Sequence, residues 1–424
     1  MSQRSNPGVL WISVPQDSLA PCDRYKHASC AYGTCVYMLG GRKEHSLRDF
    51  WKYNVVCNKW TELDSSSDEA PEELEEHIMV AQQGMLYVFG GLRDSGYSNS
   101  KTPLWVFDTV KEQWLYLQEQ SSTSQHVVPS NRKGHSAVVL ESSMYIYGGY
   151  IDIRGTSQEF WKLDLDSRTW SLLSNASTGP GPRYSHSAMT HGSCIYLYGG
   201  LQGLKEQRDL WRWSLSNQTW SCIRASSGPS KLIGHTAVVY KDSMLIFGGG
   251  ETHTEPKNCL WKFNLTTFTW EKLPSMDRSI APGRTHHCSV GLGPNFQPGP
   301  ANNIIAKEIL ISNSINSKFR PFKNKCFPSS STTWEPSEHI ELQALPSGER
   351  NGLKHNSLAL DITKPCLTFE NQKAMRETLD SKHSAEEKED KTAHPMPNLL
   401  LILGGKPLKE QASISVWQMT MADS

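Results

Sequence analysis

The 424-residue chain carries 43 basic and 43 acidic side chains. That balance argues against a nucleic acid or an acidic membrane surface as main partner, because both reward a basic excess. The longest apolar run, Leu399–Leu403, is far short of the roughly 18–20 residues a membrane span needs, so no membrane insertion is expected. Fourteen Trp outnumber twelve Phe, and ten Cys fall at irregular spacings with no Cys-x-x-Cys pair. The first fifteen residues hold no apolar h-region. Together these features predict a cytoplasmic, β-rich protein with free thiols and no zinc site.

Taken in chain order, the first strand-like segment is Trp11-Ile-Ser-Val14. His27 then opens an apolar segment, VYMLGG closes at Gly41, FWKYN starts at Phe50, and a second Trp stands at 60. The same order recurs with LYVFGG at Gly91, MYIYGG at Gly149, IYLYGG at Gly200 and MLIFGG at Gly249. In each copy a His (His27, His77, His135, His186, His235) precedes the Gly-Gly pair by 13 residues. Two Trp then follow nine residues apart: Trp51/Trp60, Trp105/Trp114, Trp161/Trp170, Trp211/Trp220 and Trp261/Trp270. Each copy reads as four antiparallel strands, with Gly-Gly closing the second. A lone four-stranded unit buries too little surface, so the units must stack, and a ring leaves no open face.

The Gly-Gly pairs and the spaced aromatics resemble the kelch repeat, whose period is about 50 residues. The intervals between successive Gly-Gly pairs here are 50, 58, 51 and 49. The resemblance implies an all-β fold, a six-bladed kelch-type β-propeller. A sixth pair, LLILGG, ends at Gly405, and Trp417 follows in register, but its partner Trp would fall at position 426. Trp11-Ile-Ser-Val14 resembles the missing strand. The expectation is that the N-terminal strand closes the last blade, because pairing the chain ends removes two bare strand edges.

His287 opens the sixth repeat, yet its Gly-Gly pair comes 117 residues later, so about 104 residues are inserted. The predicted division is residues 8–290 for the first five blades, the closing strand and the start of blade six. Residues 291–398 form a flexible insertion and 399–420 the remainder of blade six. The Pro-, Ser/Thr- and charge-rich insertion has a disordered composition. Its basic run Lys318–Lys325 reads either as a nuclear import signal or, more simply, as solvated linker.

Intervals within the hairpins are constant, whereas the strand two–three and strand four–one connections vary, and both emerge on one face. Recognition is usually built on such loops. Three residues before the blade His stand Arg24, Arg132, Arg183 and Arg284, with Leu74 and Leu232 in blades two and five. In kelch propellers this position lies near the central opening and in some members binds acidic peptides. The resemblance therefore implies Arg24, Arg132, Arg183 and Arg284 as partner-binding residues for a carboxylate-rich protein segment. The competing reading is that each arginine pairs within the ring. The six His recur once per blade and read as scaffold, too widely spread to share one metal ion. The Trp pairs read as core. Trp213 and Trp334 lie off the repeat frame, the first as added packing and the second as a candidate linear anchor.

Some kelch propellers are enzymes. No set matching the copper radical oxidases is present. Glu386, Asp390 and His394 match the ExxxDxxxH spacing of the plant specifier proteins, which would make this a metal-dependent enzyme of that type. Such spacing also arises on any solvated helix face. No nucleotide-binding Gly loop, GxSxG elbow or HExxH motif appears, and with repeats starting near residue 11 no BTB-like domain is expected. The short kelch-only proteins are nearest in layout. The expected function is a protein-interaction module or adaptor, without catalytic residues, cofactor or metal. It would bind a partner peptide or loop on the variable-loop face.

Overall fold

Each repeat folds into a four-stranded antiparallel sheet whose strands follow chain order. In blade one these are Ala28–Tyr32, Cys35–Leu39, Phe50–Asn54 and Lys59–Leu63. Blades two to five repeat the arrangement. The computed structural model describes residues 9–94, 96–97, 103–116, 128–174, 179–252, 255–276, 279–296, 396–409 and 412–421. All belong to one unit, Met1–Ile305 with Pro395–Ser424.

Blade six is assembled from both ends of the chain. Its strands are Cys288–Leu292, Leu399–Leu403, Val416–Thr420 and Trp11–Val14, in that order. The closing strand pairs in register, Trp11 with Met419 and Val14 with Val416. Just before it, the Val9 N–H donates to Pro274 O at 2.7 Å, and the Met276 N–H donates to Val9 O at 3.1 Å. The N-terminal segment thus grips blade five as well as blade six. The first strand of blade six runs on through Gly291 and Leu292, which pair with Leu400 and Leu399. A short 3-10 turn, Pro294–Phe296, follows and buries Phe296. The propeller therefore extends past residue 290. Residues 297–395, with the Lys318–Lys325 run, Trp334 and the Glu386/Asp390/His394 triplet, lie outside the described residues.

The first strands touch one another in ring order, one to six and six back to one. Apolar burial is concentrated between blades rather than within them. Leu39 and Phe50 of blade one pack against Leu86, Val88 and Phe107 of blade two, and five further clusters fill the other junctions. This follows from the period-2 pattern of the strands: each sheet has two apolar faces, and only a neighbouring blade can cover them. Trp213 is buried in the junction between blades three and four. It occupies the position that Tyr53, Phe107, Leu163 and Phe263 hold in other blades, so it lies on the repeat frame after all.

The Gly-Gly pair locks adjacent blades. In every blade the N–H of its second glycine donates to a carbonyl of the next blade. The bonds are Gly41 to Leu74, Gly91 to Arg132, Gly149 to Arg183, Gly200 to Leu232, Gly249 to Arg284 and Gly405 to Arg24, at 2.8–3.2 Å. Neither glycine tolerates a side chain. A Cβ on Gly40 would lie 2.5 Å from Leu74 O, and one on Gly41 2.7 Å from the His27 Cβ, with both residues at positive φ. The bond from Gly405 to Arg24 closes the ring a second time, independently of the N-terminal strand.

Candidate functional site

The residue before each blade His turns the chain into the first strand in the left-handed region. These are Lys26, Glu76, Gly134, Ser185, Gly234 and His286, with φ between 53° and 64°. Four are not glycine, and each such residue costs about 1–2 kcal/mol in isolation. Backbone bonds around the axis offset that cost: Lys26 N–H to His286 O, Glu76 to Lys26, Gly134 to Glu76, Ser185 to Gly134 and His286 to Gly234, at 2.7–3.1 Å. They line a central cavity of about 120 Å³ together with the six blade His.

All six His (His27, His77, His135, His186, His235 and His287) are buried. Burial pushes each below the ordinary histidine value: His77, His135 and His287 to about 3, His235 to about 4, and His27 and His186 well below. Three reach a hydroxyl of the preceding blade, His186 to Ser136 at 2.9 Å, His235 to Ser187 at 2.9 Å and His287 to Thr236 at 2.8 Å. The other three meet Cys288, Ala28 and Ile78 at that position, which offer no hydroxyl. These are neutral, buried ring members that couple one blade to the next.

The four arginines expected to meet a partner are instead withdrawn from solvent. Arg24 and Arg132 are fully buried, and Arg183 and Arg284 are 1% and 2% exposed. Arg24 donates to both oxygens of Asp49 at 2.6 Å and to Gly40 O at 3.0 Å. Arg183 holds both oxygens of Asp209, at 2.8 and 2.9 Å, and Gly199 O at 2.9 Å. Arg132 takes Glu159 at 2.6 Å and Gly148 O at 3.1 Å. In the same three blades the first Trp of the pair donates its indole N–H to that carboxylate: Trp51 to Asp49, Trp161 to Glu159 and Trp211 to Asp209, at 2.6–2.9 Å. Burial alone would raise the carboxylates. The facing guanidinium outweighs it, so Asp49, Glu159 and Asp209 sit below the usual range.

Arg284 differs. It donates to Gly405 O and to Ser415 Oγ, both at 3.0 Å, and to Pro407 O. Its negative neighbour is Asp23, which comes from the opposite end of the chain and only partly offsets the lowering by burial. With their terminal guanidinium nitrogens bonded inside the ring, the arginines act as ties between the first strand and the strand two–three loop. Sequence reasoning missed their partners. The signal was present: Asp49, Glu159, Asp209 and Ser415 all stand two before the third-strand Trp. Where the arginine is Leu74 or Leu232, that position is Pro103 or Cys259.

What remains accessible is the layer built on these ties. The residue after each arginine or leucine pairs with the residue after Gly-Gly, as in Tyr25–Arg42, Glu75–Leu92, Lys133–Tyr150, Tyr184–Leu201 and Thr285–Lys406. Beyond it, blades two, three and four raise two-stranded hairpins, Leu92–Arg93/Gly96–Tyr97, Tyr150–Ile151/Gly155–Thr156 and Leu201–Gln202/Lys205–Glu206. Ile153 and Leu204 at two hairpin tips are 98% and 95% exposed. Ile153 stands at φ 60°, an unusual conformation for a β-branched residue. Around blades one to three the charges neutralise each other. Lys26 meets Glu76 at 2.5 Å, Arg42 meets Asp94 at 2.8 Å and Glu75 at 3.4 Å, and Lys133 reaches Glu76 at 4.0 Å. Among the described residues no group of three or more His, Cys, Asp or Glu is placed to hold a metal ion.

A family model described as the KLHDC2/KLHL20/DRC7 Kelch-repeats domain matches residues 8–126 and 118–297. The chain belongs to the kelch-repeat family. It is 28% identical to human Kelch domain-containing protein 3 over 215 residues, covering 47% of this chain and 55% of that protein. It is 28% identical to human Host cell factor 2 over 240 residues, 46% of this chain and 29% of that protein. A third relative, the Caenorhabditis elegans Putative protein tag-53, is 27% identical over 204 residues, 45% of this chain and 15% of that protein. The chain thus spans about half the length, or less, of these curated relatives. The likeness lies in the repeats that build the propeller.

Proposed function

We propose that this kelch propeller is a non-catalytic adaptor that binds an acidic peptide or loop of a partner protein. The binding face carries the strand two–three and four–one loops. The observation that carries this reading is the division of labour in the ring. Histidines and glycines are consumed in joining blades and lead arginines in bracing each blade's own loop, while the connections of variable length project from one face with exposed side chains. Loops that vary on a rigid frame are where recognition is built. The arginines contribute indirectly by pinning those loops, so their loss would weaken binding through disorder of the loops.

Affinity capture with wild-type protein, followed by Ile153→Asp with Leu204→Asp, tests the face. The double variant should lose most captured partners while melting as the wild type does. Val56 and Val110 are 75% and 84% exposed in the strand three–four turns of the opposite face, so Val56→Asp with Val110→Asp is the control. Partners lost with the control and retained with the hairpin variant would refute the assignment.

A further inference from the structure

One junction stands apart in its electrostatics. Between blades four and five lies a groove of about 350 Å³ bordered by Lys205 and Arg208 from a strand two–three loop, Arg224 at the end of a fourth strand, and Lys231 in the connection onward. None of these four cations makes an ion pair with a described residue, whereas Arg42, Lys26 and Lys133 around blades one to three all do. Two carboxylates also line the groove, Glu206 and Asp209. Asp209 is already held by Arg183 and Trp211. A positive surplus is therefore left facing one concavity, where low-dielectric walls strengthen its field.

The groove is also preformed. Its floor includes Tyr198, Leu210, Ile223 and Trp270. The Tyr198 hydroxyl donates toward Pro229 O at 3.1 Å and Ser230 O at 3.3 Å, fixing the strand four–one loop. Gly228, at φ 120°, lies so close to Trp270 that a Cβ there would come within 2.7 Å of the ring. A rigid apolar floor under unpaired cations suits a chain whose side chains alternate between acidic and apolar.

Resting on the interaction reading above, we infer that this groove takes an extended acidic segment of a partner protein, seating its side-chain carboxylates on Lys205, Arg208, Arg224 and Lys231. Four cations call for several carboxylates, which an acidic segment supplies and a single chain terminus does not. Charge-assisted bonds to such groups are the stronger class of hydrogen bond.

Fluorescence anisotropy tests this with a short labelled peptide of alternating Glu and Leu, blocked at both ends. Its Gln counterpart and a free-carboxylate version of that Gln peptide complete the set. The Glu peptide should bind about tenfold or more tightly than either, with a preference that shrinks as salt is added. Arg208→Glu with Arg224→Glu should abolish the preference at unchanged melting temperature. Equal binding of the Glu and Gln peptides would overturn the inference. So would equally tight binding of the free-carboxylate peptide, which would make a chain terminus the source. If charge reversal leaves binding intact but Ile153→Asp with Leu204→Asp removes it, the groove assignment falls and the interaction face stands. If binding survives both, the face falls too.

Discussion

Blades one, three and four tie their loops with arginine, carboxylate and tryptophan, whereas blades two and five put Leu74 with Pro103 and Leu232 with Cys259 at the same places. Both solutions leave the backbone lock intact, since the carbonyls of Leu74 and Leu232 accept from Gly41 and Gly200 as those of Arg132 and Arg183 accept from Gly91 and Gly149. The repeated element is therefore a carbonyl at a fixed place, and the side chain above it is interchangeable provided its partner changes with it. A buried ion pair and an apolar pair of similar volume are often near-equal in stability, while half of an ion pair is costly. Recurrence once per blade thus marks the frame, and the unpaired cations of the groove beside blade five, which no compensating exchange in the frame explains, are where we place the proposed recognition.

The largest expected effect comes from removing the closing strand while leaving every loop tie untouched. Deleting residues 1–14 should lower the melting temperature by about 10 °C or more, because Trp11–Val14 covers the edge of Val416–Thr420 and Val9 anchors to blade five. An unchanged melt would mean the bond from Gly405 to Arg24 suffices for closure.

Acid should act on blades with charged and with apolar loop ties alike, since every blade has a buried His. Folding holds these groups neutral with values of about 3 to 4 for His77, His135, His235 and His287. The unfolded chain takes up protons near pH 6.5. In that window the unfolded state binds more protons, so stability is full above about 6.5 and falls as pH drops toward 4. Asp49, Glu159 and Asp209, held below the usual carboxylate range, stay ionised through most of it. Chemical denaturation across pH checks this. A flat profile between pH 6.5 and 4.5 would show that the His are not buried neutral.

Converting one kind of loop tie into the other gives the next effect in size. Arg183→Leu alone should cost about 2–4 kcal/mol, toward the lower end of buried-pair losses because Asp209 keeps partial contact with water. Adding Asp209→Cys, which copies blade five, should restore at least half of that loss. A double-mutant cycle with no coupling would show that the two kinds of loop tie are not equivalent solutions.

The smallest effect is a gain. Ala28→Ser offers His77 the hydroxyl that Ser136 gives His186, and should stabilise by about 0.5–1 kcal/mol. A lower denaturation midpoint would mean the buried site at Ala28 has no room for the oxygen.

Much of the frame is legible in the residues alone, because Gly-Gly, His and Trp recur at intervals dictated by strand length and the pleat. The closing role of Trp11-Ile-Ser-Val14 follows from the same register. The arginines were harder: their positions are plain, but whether each guanidinium faces water or a carboxylate depends on where Asp49, Glu159 and Asp209 arrive. The accompanying exchange of Pro103 and Cys259 for those carboxylates was the available clue.

The recurring Gly-Gly, His and Trp, with 12 of the 14 Trp in six blade pairs, thus determined the repeat and its number of copies, and their kelch resemblance implied the all-β ring, since a periodic chain can bury its faces only by stacking repeats. Only the tertiary structure decided that the lead arginines are internal ties, and that Lys205, Arg208, Arg224 and Lys231 meet at one groove. Such pairing depends on distances across strands and blades, which sequence spacing does not encode.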